Sequence, residues 1–397
     1  MEKLYERFLQ KIDQTQLGFT RHLLHEIHWD SRLIGIKGAR GVGKTTLILQ
    51  YIKQQLPQDQ RTLYVSLDHI WFAGQSLYDL ADQFVKKGGA HLFLDEVHKY
   101  PNWSQELKNI YDDFPTLQVV FTGSSLLEML NASADLSRRA VLYTLQGLSF
   151  REYLNLTQGT SIVAYSLSEL LANHTEIARQ IAQQIKPLAS FSSYLETGYY
   201  PFFQEAPALY LTKLEQVMNL ILEVELPLLR KVEIGYVNKL KQLLHIIAVS
   251  VPYVPNVSQL SERIGLNRNT LVAYLSFLQE ANLTKHLYKD AKGLTQMQKP
   301  DKIYLENTNL QYALAREAVN SGSLRETFFM NQLSCKHNIE YAPKGDFIVD
   351  RLYTFETGGR NKTDKQVQGI DHSFVVSDQL EIGFQQKIPL WVFGLLY

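Results

Sequence analysis

Several features that define other classes of protein are missing from this sequence. Its 397 residues contain a single cysteine, Cys335, which excludes an internal disulfide framework and is typical of a reducing compartment. No apolar run reaches the roughly 18 residues that a membrane-spanning helix needs. The first residues, MEKLYERFLQ, lack the apolar region of a secretory signal. The sequence alone therefore predicts a cytoplasmic protein that does not enter a membrane.

An excess of charge of one sign is also missing. Forty Lys and Arg residues balance forty Asp and Glu residues, so the formal net charge is zero. The molecule therefore has no net positive charge that would attract nucleic acid, and binding to nucleic acid would need a local basic patch. The length exceeds what one hydrophobic core usually organises, so two or three domains are expected.

Residues 1–154 have the pattern of an α/β domain. Apolar strand-like runs alternate with helical segments, and the strand-like runs are LIGIKG, TLYVSLD, HLFLDE and QVVFTG. Strands and helices that alternate in this way predict a parallel sheet covered by helices. Beyond about Leu154 the apolar residues recur every three or four positions, which predicts a helical region over 155–323. Aromatic, strand-prone segments over 324–397 predict a small α/β terminal domain.

Within the helical region, residues 256–305 predict two short helices followed by a β-hairpin, the order of a winged helix. Ser258 is the expected cap of the first helix, and Lys292 and Gly293 lie in the expected hairpin loop. Residues 256–302 carry seven basic and four acidic side chains, a balance of +3, and the second helix opens with NRNT. Double-stranded DNA is therefore a candidate partner. The alternative is a module that only packs beside the first domain.

The strongest motif is GARGVGKTT at residues 38–46, which fits G-x-x-x-x-G-K-[ST] between a predicted strand and a predicted helix. Its glycines let backbone N–H groups turn towards phosphate oxygens, and the helix adds its positive end. Lys44 is expected to reach the β- and γ-phosphates, and the Thr45 hydroxyl to bind Mg²⁺. The predicted nucleotide-binding residues of this loop are Gly38, Ala39, Arg40, Gly41, Val42, Gly43, Lys44, Thr45 and Thr46.

Two further strands end in residues suited to the same chemistry. The run HLFLDE ends in Asp95, expected to hold Mg²⁺ with Thr45, and in Glu96, expected to polarise the attacking water. The run QVVFTGSS ends in hydroxyl groups, those of Thr122 and Ser124 among them. If this strand lies between the other two, a hydroxyl such as that of Ser124 would contact the nucleotide or orient water. Capping of the next helix is the alternative.

These segments resemble those of the prokaryotic AAA+ ATPases that carry a C-terminal domain of unknown function. The resemblance rests on GARGVGKTT, LFLDEVHKYPNW, VVFTGSS, LSRRAVLYTLQGLSFREYL, YLETGYYPFF and the stretch ending in KPDKIYLEN. It implies a P-loop core that binds ATP and Mg²⁺, and the preference for ATP over GTP rests on it alone. It also implies that Arg139 contacts a nucleotide, in a neighbouring subunit of a homo-oligomer. A surface salt bridge is the alternative for this arginine.

The terminal domain of that family resembles a restriction-endonuclease fold with an early Glu, an Asp and a Glu-x-Lys pair. By resemblance the matching carboxylates are Glu326, Asp346 and Glu356. Gly358 stands where the lysine is expected, and Lys362 lies six residues after Glu356. A degenerate domain that does not cleave nucleic acid is therefore expected, and an active nuclease is the alternative.

Taken together, the motifs predict an AAA+ protein that hydrolyses ATP and couples nucleotide state to a conformational change, with DNA as a candidate partner. Two alternatives remain open at this point. One is a DNA-binding regulator that nucleotide gates without hydrolysis. The other is a P-loop kinase that phosphorylates a small acceptor, although the Asp-Glu pair favours activation of water.

Overall fold

The computed structural model describes residues 1–123, 136, 138–289 and 299–397. They form two compact units, Met1–Gly147 and Leu148–Tyr397. The predicted boundary after residue 154 thus falls earlier, and the predicted terminal domain 324–397 lies inside the second unit. The reason is packing within that unit, because the ring of Phe150 meets that of Trp391 with centroids 6.3 Å apart. Among the described residues, no helix has both the length and the apolar character that crossing a membrane requires.

The first unit is built on a five-stranded sheet. Its strands are β1 (Leu33–Lys37), β2 (Thr62–Ser66), β3 (His91–Asp95), β4 (Gln118–Gly123) and β5 (Val141–Thr144). Its helices are α1 (Glu2–Gln14), α2 (Leu23–Glu26), α3 (Lys44–Gln55), α4 (Leu77–Lys86) and α5 (Trp103–Asp113), with 3₁₀ turns at Ile70–Ala73 and Val97–Lys99. The strands are ordered β2-β3-β4-β1-β5 and all neighbours are parallel. The predicted parallel α/β sheet is confirmed.

The helices of this unit cover the sheet with the apolar faces that the sequence pattern predicts. In α4 the buried residues are Leu77, Leu80, Ala81 and Phe84, at the spacing of one helical face. Burying a side chain of the size of Leu or Phe contributes about 1.5–3 kcal/mol each. Ser76 caps the start of the helix, because its side chain accepts a hydrogen bond from the Asp79 N–H. The face and the cap together fix where α4 lies.

The strand order decides what lies at the carboxyl edge of the sheet. β4 lies between β1 and β3, as the motif analysis required for a third contribution to the site. Because all five strands run in the same direction, the carboxyl ends of β1, β3 and β4 meet at one edge. At this edge lie the loop at 38–43 after β1, the Asp95–Glu96 pair at the end of β3, and Thr122 near the end of β4.

The second unit is mainly helical in its first part. Its helices are α6 (Phe150–Gln158), α7 (Leu167–Ala182), α8 (Pro187–Thr197), α9 (Tyr210–Leu220), α10 (Leu226–Arg230), α11 (Ile234–Val249), α12 (Val257–Ile264), α13 (Arg268–Glu280), α14 (Thr308–Ala315) and α15 (Ser321–Leu333). A π-helical turn at Ile221–Glu225 joins α9 to α10, and 3₁₀ turns lie at Pro201–Gln204, Pro207–Leu209, Arg316–Ala318 and Leu390–Leu395.

The segment predicted as two helices and a hairpin has that order. After α12 and α13 come β6 (Thr284–Leu287) and β7 (Lys302–Leu305), which pair antiparallel. The side chain of Asn256, not of the predicted Ser258, caps α12, because it accepts the N–H of Gln259 at 3.2 Å. The predicted loop residues Lys292 and Gly293 lie outside the described residues.

A second sheet of five strands follows: β8 (Ile339–Tyr341), β9 (Phe347–Val349), β10 (Tyr353–Gly358), β11 (Ser373–Ser377) and β12 (Lys387–Pro389). Their order is β12-β11-β10-β9-β8, in which β8, β9 and β10 pair antiparallel and β10, β11 and β12 pair parallel. This sheet carries the strand-prone segments that the sequence placed after residue 324.

Candidate nucleotide site

The loop after β1 has the backbone that a phosphate-binding loop requires. Gly43 is the cap of α3 with φ of 97°, a left-handed conformation that other residues rarely adopt. A Cβ on Gly38 would lie 2.2 Å from the carbonyl oxygen of Leu145, so a side chain there is excluded. Lys44 is buried, and its Nζ donates to the carbonyl oxygens of Gly38 and Ala39 at 2.9 Å each. The Lys44 side chain therefore packs against the loop with which it is expected to bind phosphate.

Asp95 is the point at which hydroxyl groups from three elements converge. The hydroxyls of Thr45 on α3 and Tyr64 on β2 each donate to Oδ2 at 2.7 Å. The hydroxyl of Thr122 on β4 donates to Oδ1. Asp95 is 2% exposed, so these three donors replace the water that would otherwise hydrogen-bond to its carboxylate. The predicted pair of Mg²⁺ ligands, Thr45 and Asp95, is thus in direct contact.

Glu96 follows β3 at the same edge. Its φ of 55° is left-handed, which is uncommon for a residue with a side chain and recurs at functional sites. Its backbone N–H donates to Thr122 Oγ1 at 3.2 Å. One carboxylate oxygen lies 3.3 Å from Nε2 of His98, whose side chain is nearly buried. The carboxylate itself is partly exposed, as a group that must reach a water molecule needs to be.

His98 is held neutral by its surroundings. Burial, together with the positive charges of Lys99 and Lys44, lowers its pKa to about 3. A neutral imidazole carries one N–H, and on Nε2 this group would face the Glu96 carboxylate oxygen 3.3 Å away. His98 therefore lies beside Glu96 without adding a charge of its own.

Sequence reasoning missed Arg21, Tyr64 and His98. Arg21 is buried and donates to the carbonyl oxygens of Val42 at 2.6 Å, Gln146 at 2.7 Å and Gly147 at 2.9 Å. It thereby fixes the phosphate-binding loop to the segment that follows β5. No local pattern marks Arg21, whereas His98 lies three residues after Asp95, and this closeness to the predicted Mg²⁺ ligand was a usable signal.

Arg139 lies away from this edge in its own unit. Its guanidinium forms a two-point ion pair with Asp112, with Nε to Oδ1 at 2.9 Å and Nη2 to Oδ2 at 3.0 Å. It precedes β5, whose Val141 pairs with Ile34 near the start of β1. β1 is five residues long, about 16 Å of extended chain, and the phosphate-binding loop follows its other end. The salt bridge named as the alternative is therefore present, and contact with a nucleotide in a neighbouring subunit remains a prediction.

The other residues predicted to bind the nucleotide differ in how far they are exposed. Val42 is buried, Ala39 and Arg40 are partly exposed, and Gly41 and Thr46 are exposed. Ser124 falls outside the described residues.

In the second unit, the three carboxylates of the nuclease-like pattern are accompanied by lysines. Lys302 Nζ lies 3.2 Å from Glu326 Oε2 and 3.8 Å from Asp346 Oδ1. Lys362 pairs with Glu356, and a Cβ on Gly358 would overlap the Lys362 side chain. Burial raises the pKa of Glu326 and of Glu356, and the charge of Asp346 raises both further.

Gly358 stands where the pattern expects a lysine, and the side chain of Lys362 lies beside Gly358. Lys362 is thus displaced from this position in the sequence but close to it in the structure. Within the part of the chain that the structure describes, no group of three or more His, Cys, Asp or Glu side chains is arranged to hold a metal ion. That this domain does not cleave nucleic acid stays a prediction.

Comparison with known proteins adds the class to this geometry. Residues 30–154 match a family model described as an AAA domain, and residues 188–320 match a domain of unknown function. The resemblance to AAA-type ATPases is thus confirmed for residues 30–154, and the second unit contains the match to a domain without an assigned role.

One curated relative is an uncharacterized protein of Methanocaldococcus jannaschii, 26% identical over 90% of this chain and 81% of its own length. Among solved structures, a Walker-type ATPase of Pyrococcus abyssi matches with a TM-score of 0.40 and 11% identity, covering 73% of this chain and 93% of its own. The ORC1 protein of Aeropyrum pernix in complex with DNA matches with a TM-score of 0.32 and 13% identity, covering 79% and 92%.

Proposed function

We propose that the first unit binds ATP with Mg²⁺ and hydrolyses it. The observation that carries this proposal is the direct contact of Thr45 and Asp95, 2.7 Å between oxygens, at the sheet edge that also holds Lys44 and Glu96. Hydroxyl and carboxylate oxygens are the ligands that Mg²⁺ prefers, so the donor set fits this ion. When bound, Mg²⁺ would neutralise charge on the phosphate oxygens.

Residues of the chain bind the phosphates and activate the attacking water. The N–H groups of residues 38–46 and the start of α3 hold the phosphates. Lys44 exchanges its carbonyl partners in the loop for phosphate oxygens, to which its charge is better matched. Glu96 accepts the proton of the attacking water, and the neutral His98, 3.3 Å away, holds its carboxylate in one orientation.

The hydrolysis proposal is tested by phosphate release from ATP with Mg²⁺. Glu96→Gln should lower the rate about 100-fold or more, the range for loss of a general base, while nucleotide still binds. Lys44→Ala should lose both binding and turnover. The exposed residues Glu6 and Lys3 provide matched controls, Glu6→Gln and Lys3→Ala, which should resemble the unmodified chain.

Each outcome assigns a function. If nucleotide binds and no phosphate is released, hydrolysis is excluded and the regulator or kinase alternative takes its place. The kinase alternative then requires transfer of the γ-phosphate to a small acceptor.

We further propose that nucleotide state changes the conformation of the chain and that the segment from α12 to β7 contacts double-stranded DNA. The first residues of α13 and its cap, Asn267, Arg268 and Asn269, are exposed, and these types suit phosphates and base edges. Arg268→Ala should weaken DNA binding and reduce its salt dependence. Stimulation of phosphate release by DNA, lost in this variant, would support the link between the two units. Binding that is indifferent to Arg268 would exclude this segment as the contact.

A further inference from the structure

Tyr64 is a buried residue of β2 that belongs to the nucleotide site by contact. Its side chain is 3% exposed, and its hydroxyl donates to Asp95 Oδ2 at 2.7 Å. The register explains the contact, because Ser66 pairs with Asp95 and side chains two residues apart share a face of the sheet. Tyr64 and Asp95 therefore point to the same side of two neighbouring strands.

The same hydroxyl has a second partner on α1. Lys11 Nζ donates to Tyr64 Oη at 3.2 Å and lies 4.8 Å from the centroid of the ring. An ammonium group has no acceptor, so the hydroxyl proton cannot point towards Lys11. The Tyr64 hydroxyl proton therefore points to Asp95. The hydrogen bond that Lys11 donates to the Tyr64 oxygen also makes the Tyr64 O–H a stronger donor.

Helix α1 is fixed at the position that this contact needs. Lys53 on α3 donates from Nζ to the carbonyl oxygens of Ile12 at 2.9 Å, Asp13 at 3.2 Å and Thr15 at 2.9 Å. These bonds fasten the end of α1 to the helix that follows the phosphate-binding loop. Helix α1 ends at Gln14, whereas the AAA family match begins at residue 30. The helix thus lies outside the matched domain while contacting its site.

We propose that Tyr64 is a positioning residue for Asp95 and that Lys11 orients its hydroxyl, so that α1 takes part in holding Mg²⁺ with the nucleotide. The inference rests on the proposed function of the site. Thr45 and Tyr64 share Asp95 Oδ2, but Thr45 is itself a proposed ligand of the ion. Of the two donors to this oxygen, Tyr64 is the one that has no proposed ligand role, and it comes from the rigid sheet. It keeps the carboxylate in one rotamer whether or not the ion is bound.

The test measures the Mg²⁺ dependence of binding of a fluorescent, non-hydrolysable ATP analogue to the full chain. Tyr64→Phe removes the hydroxyl and keeps the ring. It should raise the Mg²⁺ concentration for half-maximal binding about tenfold, the lower range for loss of a residue that orients a metal ligand. Lys11→Met should shift it in the same direction and less. Binding of the analogue without Mg²⁺ should be unchanged in both variants.

Two controls match these substitutions. Tyr78→Phe removes an exposed hydroxyl of the same unit that donates to Asp113 at 2.8 Å. Lys3→Met removes an exposed lysine from the same helix as Lys11. Neither should shift the Mg²⁺ dependence. The melting temperature of each variant is measured in parallel.

The outcomes separate this inference from the function on which it rests. If the unmodified chain binds the analogue and Tyr64→Phe leaves the Mg²⁺ dependence unchanged, the inference is wrong and the proposed function stands. Equal weakening with and without Mg²⁺ together with a lower melting temperature indicates a structural role only, and overturns it too. A shift in Tyr64→Phe with none in Lys11→Met removes α1 from the proposal. Failure of the unmodified chain to bind nucleotide overturns both proposals.

Discussion

The hydroxyl of Thr122 donates to the carboxylate of Asp95 on the neighbouring strand and accepts the backbone N–H of Glu96 at 3.2 Å. One side chain of β4 thus fixes both acidic residues that follow the body of β3. Its position depends on the strand order, because β4 lies between β3 and the strand that leads into the phosphate-binding loop. The link makes Thr122 a residue on which both stability and turnover should depend.

Thr122→Val keeps the shape of the side chain and removes both hydrogen bonds. We expect a loss of about 1–3 kcal/mol in the free energy of unfolding, because buried groups lose a partner, together with reduced phosphate release. Chemical denaturation and the phosphate assay measure the two effects. Thr62→Val is the matched control, since the hydroxyl of Thr62 is buried in the same sheet without a hydrogen-bond partner. That control should be neutral or stabilising, and equal losses in the two variants would contradict the role given to Thr122.

His98 predicts a dependence of stability on pH. Burial lowers its pKa in the folded chain to about 3, below the value near 6.5 expected for an unfolded chain. The unfolded state therefore binds the proton first, and this contribution to stability is present above pH 6.5 and is lost as the pH falls towards 3. His98→Gln keeps an N–H donor for Glu96 but cannot be protonated. Its melting temperature should fall less than that of the unmodified chain between pH 7.5 and pH 5, and parallel curves would show that His98 does not titrate in this way.

Arg139 and Asp112 allow the proposed role in a neighbouring subunit to be separated from the ion pair. The pair is partly exposed and should contribute little to stability. If Arg139 serves a neighbouring nucleotide, Arg139→Ala should lower phosphate release at concentrations where the chain assembles, whereas Asp112→Asn should not. Sedimentation at the assay concentration establishes the assembly. Equal rates in the two variants would leave the ion pair as the whole role of this arginine.

Lys302 stands between two carboxylates of the second unit and should be needed for its stability. With 16% of its side chain exposed, Lys302→Met leaves Glu326 and Asp346 close together without their shared cation. We expect a loss of about 3 kcal/mol, the range for breaking a buried ion pair. The exposed Lys289, 3.8 Å from Asp301, gives the control Lys289→Met, which should change stability little. Recovery in the double variant Lys302→Met with Glu326→Gln would identify the unpaired charge as the cause.

The same cluster predicts the outcome of a nuclease assay. Each of the three carboxylates there already contacts a lysine, so Mg²⁺ or Mn²⁺ should neither raise the melting temperature of a Lys44→Ala chain nor support cleavage of DNA. The Lys44→Ala background removes the effect of the nucleotide site. A metal-dependent rise in that background, abolished by Glu356→Gln, would contradict the expectation of a degenerate domain.

The sequence by itself determined the phosphate-binding loop, four of the five strands of the first sheet and the order of elements around α12 and α13, but not β5. These features follow from local physics. Glycine at Gly43 permits a left-handed backbone, continuous apolar runs require burial on both faces, and Asn or Gly residues begin and end helices. Local signals of this kind are complete within a few residues, so they can be read without knowing the fold.

Only the tertiary structure decided which side chains meet. The pairing of β2 with β3 places Tyr64 and Asp95 on one face, and a shift of one residue would have turned the tyrosine away. The start of β5 beside the start of β1 carries Arg139 to the opposite edge from the phosphate-binding loop. The chain path after β10 brings Lys362 over Gly358. Each contact depends on strand register or on a chain reversal. Both are set by packing between segments that are distant in the sequence, so no short stretch of sequence encodes them.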